Sequence, residues 1–137
     1  MPGLILEKFK EFKMSQDTLW IYYGRERVFQ SDKAILAPLI EYIAKPRSNQ
    51  EPVIILDKVM GNAAALLSIK AGARWIYSPL GSRLASRTLS NHKIEYYLEN
   101  IVPFILARNG EDICPMEKLS QGKGPEEFYQ IIRLRFR

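Results

Sequence analysis

The segment Val53–Gly72, which reads VIILDKVMGNAAALLSIKAG, decides the fold. It begins with four apolar residues, Val53–Leu56, and such a run is typical of a strand buried on both faces of a sheet. The alanine-rich stretch Val59–Ala71 predicts a helix, and Gly72 suits the C′ position after it. A strand followed closely by a helix is the first half of a βαβ unit. The segment therefore indicates a parallel sheet, with Asp57 at the carboxyl end of a central strand.

The next residues repeat the alternation of strand and helix. Arg74–Tyr77 is predicted to be a strand, Ser78–Gly81 a turn, and Ser82 the N-cap of a helix that runs to Asn91. Ile94–Leu98 (IEYYL) is predicted to be the following strand. Short connections between such elements give right-handed βαβ crossovers.

The residues before Val53 predict the remaining half of the sheet. Leu4–Met14 has apolar residues near helical spacing. Thr18–Tyr23 and Glu26–Gln30 are predicted to pair as a hairpin across a turn at Gly24. The predicted fold is α/β, a three-layer α/β/α sandwich with a five-stranded mixed sheet. A single domain is predicted to span residues 1–137.

Two further helices follow from capping and proline signals. Ser31 and Asp32 resemble N-cap residues for a helix that becomes regular near Ala37 and ends at Ala44, with Pro38 in its first turn. The region 120–137 is predicted to hold a C-terminal helix, Pro125–Leu134, and a basic tail. The alternating residues Arg133–Arg137 are equally compatible with an edge strand.

Composition excludes several classes of protein. The 137 residues include one cysteine and one histidine, which cannot form an internal disulfide or a zinc site held by several Cys and His residues. No apolar run is long enough for a signal-peptide core or a membrane span. The sequence therefore predicts a cytoplasmic protein with no metal, no cofactor and no membrane association.

The best candidate site is the junction Asp57–Asn62. In open α/β sheets, ligands collect at the carboxyl ends of the strands, and a helix N-terminus attracts anions. Lys58 adds a positive charge, and Gly61 permits close approach to the backbone. An equally tenable interpretation makes Asp57 an ordinary N-cap and Gly61 a packing residue.

A second candidate is Cys114–Glu117 (CPME). With Cys114 as N-cap and Pro115 as first helical residue, Glu117 is placed to return to the cap amide in a capping box. A thiol at a helix N-terminus is a candidate nucleophile, although a lone cysteine is more often structural. Arg108 is a candidate anion ligand, or else a surface partner of nearby Glu111 or Asp112.

The net charge of +5 is compatible with nucleic-acid binding. The basic residues concentrate in Gly81–Lys93, which holds Arg83 and Arg87, and in Arg133–Arg137. A solvated face or a basic tail is the favoured interpretation of both concentrations, and a polyanion site is the alternative.

Four segments together resemble a known family. They are Leu56–Ala65 (LDKVMGNAAA), the Ser82 turn after a strand, Val102–Gly110 (VPFILARNG) and Cys114–Glu117 (CPME). This combination resembles the family called domain of unknown function 1893, over about residues 4–120. That family belongs to the cytidine-deaminase-like superfamily. Asn62 departs from the family pattern, which usually has lysine there, and so weakens a doubly basic phosphate site.

The resemblance implies a deaminase-like fold without its metal. Zinc-dependent deaminases hold the ion at the starts of two helices, with His or Cys ligands and a glutamate that moves protons. Those positions here carry Ser31–Lys33 and Asp57–Gly61, which include neither His nor Cys. Zinc-dependent deamination is therefore not expected. The resemblance still implies a pocket, which is framed by Asp57, Lys58 and Gly61. Ser31 is expected opposite them, and Cys114 and Glu117 are expected to close the pocket.

Three functions compete at this point. The first is a module that binds a nucleotide or other small anion, with a site formed by Asp57, Lys58, Gly61, Asn62, Ser31, Ser82, Arg108, Cys114 and Glu117. The second is a metal-free enzyme in which Cys114 or Asp57 acts as nucleophile or base. The third is a nucleic-acid or protein interaction module that uses the basic surface. The resemblance also implies a homo-oligomer.

Overall fold

The computed structural model describes residues 3–45 and 52–136, and its centre is a six-stranded mixed sheet. The five-strand prediction omitted one short strand, Val59–Met60. The helices are α1 (Gly3–Met14), α2 (Ala37–Ala44), α3 (Asn62–Lys70), α4 (Arg83–Asn91), α5 (Pro115–Ser120) and α6 (Pro125–Ile132). The strands are β1 (Leu19–Tyr23), β2 (Glu26–Ser31), β3 (Val53–Asp57), β4 (Val59–Met60), β5 (Ala73–Ser82) and β6 (Glu95–Val102).

The long strand β5 organises the sheet. The predicted hairpin β1–β2 is antiparallel, and β1 pairs antiparallel with β3. Strands β3 and β4 then pair in parallel with successive parts of one side of β5, while β6 runs parallel along its other side. The three parallel neighbours of β5 bring the carboxyl ends of these strands to one edge of the sheet, as the βαβ interpretation predicted.

The turn predicted at Ser78–Gly81 is wrong, because those residues continue β5. Leu80 pairs with Val59 on one side and with Asn100 on the other, so both neighbours hold the chain extended. A Cβ atom at Gly81 would lie 2.5 Å from Leu98 Cδ1, so a larger residue there would force the buried Leu98 side chain to move. Glycine and proline signalled a turn in the sequence, but here the glycine marks a close contact within a strand.

The helices cover both faces of the sheet. On one face, Phe9 and Phe12 of α1 pack in a cluster with Trp20 and Tyr77. On the other face, a larger cluster joins alternate strand residues such as Ile21, Ile55 and Ile76 to helices α2, α3, α4 and α6. Because side chains alternate along a strand, β1, β3 and β5 each contribute to both clusters.

Two helix starts differ from the sequence interpretation. Helix α2 begins at Ala37 with Pro38 in its first turn, as predicted, but its N-cap is Leu36, which makes no side-chain cap. Ser31 is instead the last residue of β2, so it caps no helix. Helix α3 begins at Asn62 and not at Val59, because Val59 and its neighbour pair with β5.

The C-terminal region is helical. Helix α6 is followed by a 3₁₀ turn, Arg133–Phe136, so the edge-strand alternative for these residues is wrong. Phe128 and Ile132 explain this, because residues four apart share one face of a helix, and both are buried against the core. Arg137 and most of the polar loop predicted at Lys45–Pro52 lie outside the described residues. Across the described ranges, no helix has the length and apolar character to cross a membrane.

Candidate functional site

A cavity of about 460 Å³ lies at the carboxyl end of β3. Its walls come from Ile35 and Leu36 just before α2, from the end of β3, from the start of α3 and from the segment 105–117. Most of the lining residues are apolar. The site predictions converge there, since six of the nine predicted residues line the cavity, namely Asp57, Lys58, Gly61, Arg108, Cys114 and Glu117. The carboxyl end of a strand is where open α/β sheets bind ligands.

Asp57 is the buried polar group on the sheet side of the cavity. Only 8% of its surface is exposed, and its Oδ1 accepts a hydrogen bond from the Val59 amide at 3.4 Å. Burial raises the pKa of Asp57 to about 7, against the opposing effects of the Val59 and Lys58 amides and of the Lys58 charge. A carboxyl with that pKa is protonated in about half of the molecules at neutral pH.

Lys58 is a wall residue whose charge points away from the cavity. Its Nζ donates hydrogen bonds to the carbonyl oxygens of Ser15 at 2.8 Å and Asp17 at 2.6 Å, and it lies 4.6 Å from the centre of the Phe12 ring. Phe12 belongs to the cluster on the α1 face of the sheet, whereas the cavity that Asp57 lines lies on the other face, with Leu36 and Ala64. The prediction that Lys58 holds a phosphate in this site is therefore contradicted by its position.

Glu117 is the most heavily engaged group at the site. It is 2% exposed, and its Oε1 accepts hydrogen bonds from the Asn62 amide at 2.6 Å and from Ser82 Oγ at 3.2 Å. Its Oε2 accepts one from the Ile105 amide at 2.6 Å. The predicted capping box, in which Glu117 returns to its own helix, is wrong. This carboxylate instead caps α3 and fixes the segment that closes the cavity.

Gly61 makes this arrangement possible. A Cβ atom at Gly61 would lie 3.1 Å from Ile105 Cγ1 and 3.3 Å from Glu117 Oε1, which is closer than ordinary contact. The close approach predicted for Gly61 is thus to a carboxylate of the same chain. The first amide of α3, at Asn62, is occupied by Glu117, whereas the amides of Ala63 and Ala64 have no acceptor among residues 3–45 and 52–136.

Three predicted site residues lie outside the cavity. The Asn62 side chain is buried and donates to Ser120 at 3.0 Å, while it accepts from Thr88. Ser82 is buried as the N-cap of α4, where it accepts from the Ala85 amide at 3.1 Å. Ser31 accepts from the Lys33 amide at 3.1 Å at the end of β2. Asn62 and Ser82 support the site from behind it, and Ser31 does not contribute.

Cys114 and Arg108 belong to the segment that closes the cavity. Cys114 is a free, half-buried thiol at the N-cap position of α5, and its amide donates to the Ile105 carbonyl at 2.9 Å. Arg108 is exposed, so it lies at the mouth of the cavity and not in its interior. An isolated bridge between Leu106 and Ile113 holds the two sides of this segment together.

Sequence reasoning missed the apolar walls, which include Ile35, Leu36, Val59, Ile105, Leu106 and Met116. Ile35 carries the clearest signal, but it is a structural one. Its φ is +58°, which is rare for a β-branched residue, and its side chain is 65% exposed. Strained backbone of this kind often occurs at functional sites.

Within the part of the chain that the structure describes, no group of three or more His, Cys, Asp or Glu residues is placed to hold a metal ion. The site is thus defined by a buried acid, a second carboxylate bonded to amides, and apolar walls. The fold and site together define a mixed α/β domain with an apolar, carboxyl-bearing cavity at a strand end.

A family model described as Domain of unknown function (DUF1893) matches residues 7–136, and the chain belongs to that family. The resemblance stated from the sequence is confirmed at this level. The chain is also similar to a DUF1893 family protein (TM1506) from Thermotoga maritima, whose crystal structure was determined at 2.70 Å resolution. The identity is 28%, the TM-score is 0.88, and the match covers 99% of this chain and 92% of that one. No protein with a curated description matches the chain.

Proposed function

We propose that the protein binds a small molecule in the cavity at the carboxyl end of β3. One observation carries this proposal, namely that an apolar cavity of about 460 Å³ contains a nearly buried carboxyl group, Asp57, whose hydrogen bond from the Val59 amide is long, at 3.4 Å. Ligand sites usually have this composition, in which apolar walls supply contact area and a few polar groups orient the ligand.

The positions of the charges limit how a nucleotide or other small anion would bind. Lys58 Nζ is bonded on the opposite face, and Glu117 already occupies the first amide of α3. A phosphate would be left with the Ala63 and Ala64 amides and with Arg108 at the mouth. The geometry thus favours a ligand whose buried part donates hydrogen bonds to Asp57, with any anionic group toward the solvent.

Thermal-shift screening with nucleotides, nucleosides, bases and inorganic phosphate tests the proposal. We expect at least one organic compound to raise the midpoint of wild-type unfolding. Val59→Trp, at an exposed strand position in the cavity wall, should abolish that shift by filling the mouth. Ile101→Trp is the matched control, because Ile101 is similarly exposed on β6 but lies outside the wall. Absence of any shift, or equal loss in both variants, would contradict the proposal.

A metal-free enzyme is the second candidate, because Asp57 and Cys114 line the same cavity. A buried acid whose pKa is about 7 is suited to general acid–base catalysis at neutral pH. Labelling by iodoacetamide tests the role of Cys114 as a nucleophile. A labelling rate no higher than that of a model thiol at neutral pH would remove the basis for that role.

Membership of the cytidine-deaminase-like superfamily is also proposed. It is supported by the order of elements, in which a helix and a β-hairpin precede alternating strands and helices on a mixed sheet. Superposition of an experimental structure on zinc-dependent deaminases tests it. The starts of α2 and α3 should coincide with the two helix starts that hold zinc in those enzymes.

Two further expectations stay predictions. Arg83 and Arg87 are exposed one turn apart on α4, which is compatible with binding to a polyanion. Binding to RNA or DNA through them should weaken steeply with salt. Assembly into a homo-oligomer is tested by sedimentation.

A further inference from the structure

We propose that the cavity takes a small organic cation, whose amidinium, guanidinium or primary ammonium head group donates hydrogen bonds to Asp57 and whose apolar body contacts the cavity walls. This inference rests on the proposed function, since it specifies the chemistry of the ligand for the same cavity.

The buried ionisable groups of the cavity are all acidic. The two buried ionisable groups in its wall, Asp57 and Glu117, are both carboxyls. The neighbouring cations do not offset them from within, because Lys58 Nζ is bonded to carbonyls on the opposite face and Arg108 is exposed at the mouth. A buried anionic ligand would face repulsion here, whereas a buried cation would find a partner.

The two carboxyls differ in their capacity to receive the head group. Glu117 accepts three hydrogen bonds, two of them at 2.6 Å, and its charge already compensates the N-terminal dipole of α3. Among residues 3–45 and 52–136, the hydrogen bond that Asp57 accepts comes from the Val59 amide, at 3.4 Å. Because a carboxylate offers about four acceptor positions, Asp57 has the unused capacity.

Asp57 is poorly stabilised as an anion in its buried position. Burial raises its pKa to about 7, and the charge of Lys58 offsets this effect only in part. The other ionisable groups in the cavity wall are Lys58, Glu117, Cys114 and Arg108. A bound cation favours the ionised form of Asp57, so binding near pH 7 should expel roughly half a proton per site.

The apolar body has its own contacts. Leu36 and Met116 contribute apolar surface to the interior, and Ile35, Val59 and Leu106 contribute exposed apolar surface to the wall. A cation with a flat or compact hydrocarbon body therefore fits better than a fully hydrated one. This requirement excludes inorganic cations and favours aryl or alkyl amines and amidines.

Four probes with one phenyl body test the inference, namely benzamidine, benzamide, benzoate and phenyl phosphate, titrated into the full chain by calorimetry at pH 7. We expect benzamidine to bind at least tenfold more tightly than the other three. Its binding enthalpy should differ between Tris and phosphate buffers by an amount that corresponds to the release of about half a proton. Asp57→Asn should lower benzamidine affinity at least tenfold and leave benzamide affinity unchanged. Asp32→Asn, at an exposed position, is the matched control.

Different failures have different meanings. If benzoate or phenyl phosphate binds at least as tightly as benzamidine, in a manner that Val59→Trp abolishes, the cation inference is overturned and small-molecule binding stands. If none of the four probes binds but a compound from the nucleotide screen does, the cation inference is likewise overturned and small-molecule binding stands. If neither set binds, both proposals fail. Benzamidine binding that survives in Asp57→Asn also overturns the inference, and circular dichroism confirms that this variant is folded.

Discussion

Replacing Glu117 by glutamine tests the role of this residue in joining three parts of the chain. The carboxylate is 2% exposed and accepts hydrogen bonds from the amides of Asn62 and Ile105 and from the hydroxyl of Ser82. Glutamine has nearly the same shape, so the change adds no cavity. It converts one oxygen into an NH₂ group, which must face a donor.

The magnitude follows from those three bonds. If the glutamine oxygen keeps Asn62 and Ser82, the NH₂ group faces the Ile105 amide, and one charge-assisted hydrogen bond is lost. Such a bond contributes about 1.5–3 kcal/mol, and the remaining bonds weaken when the acceptor becomes neutral. We expect the free energy of unfolding to fall by about 3 kcal/mol. For a chain of this length, that corresponds to a decrease in Tm of roughly 10 °C.

Urea unfolding at pH 7, followed by circular dichroism, measures the change as a shift of the midpoint at constant m-value. Glu111→Gln is the matched control, because Glu111 is exposed in the same segment. That substitution should change stability by less than about 0.5 kcal/mol. If Glu117→Gln is as mild as its control, the Glu117 hydrogen bonds do not stabilise the fold, and the reasoning about the site is refuted.

Three further perturbations follow from the same geometry. The pKa of Asp57 rises from 3.8 to about 7 on folding, so its contribution to stability is complete below pH 4 and is lost as pH rises through 7. The stability of Asp57→Asn relative to wild type should therefore increase by about 3 kcal/mol between pH 5 and pH 8 in urea titrations. A difference that stays constant with pH would contradict this. Lys58→Met should cost about 2 kcal/mol through two lost carbonyl bonds, whereas Lys10→Met, at an exposed position of α1, should cost almost nothing in the same assay. Ile35 has a φ of +58°, which glycine adopts without strain, so the Ile35→Gly variant should be about 1–2 kcal/mol more stable than the control variant Ala34→Gly in thermal unfolding. Equal stability of the two variants would show that the backbone at Ile35 is not strained.

Much of the framework follows from local patterns. The apolar run Val53–Leu56, the alanine-rich helix and the aromatic hairpin strands were sufficient to predict the parallel and antiparallel parts of the sheet. Pro38 and Gly72 also gave correct helix limits, because their backbone preferences are intrinsic. These elements depend on residues close together in the chain.

The errors came from pairing over longer distances. Val59–Met60 became a strand because β5 supplies a partner, and Ser78–Gly81 stayed extended because β5 has partners on both sides. Neither partner is visible in the local sequence. Lys58 Nζ is held by carbonyl groups more than 40 residues earlier in the chain, on the face that α1 covers, so the prediction that Asp57 and Lys58 act together in the cavity does not fit their positions.

Glu117 shows the same limit at the site. The sequence placed it near a helix start and predicted a local cap, but its partners are 55, 35 and 12 residues away. A glutamate that caps its own helix and a glutamate that bonds groups far away in the chain cannot be distinguished by the sequence around them. The cavity could be located from the strand end, but its chemistry depended on these distant contacts.

The contacts of Glu117 also bear on how the chain moves. Segment 103–114 has little regular structure, with one isolated β-bridge, and Glu117 joins it to α3. Detachment of that carboxylate would expose the Asn62 and Ile105 amides together while the sheet stays intact. Such subglobal opening gives amides a shared rate of hydrogen exchange that is faster than that of the core strands. This local opening would cost less free energy than unfolding of the whole protein, so the wall of the cavity would be less stable than the sheet that carries Asp57.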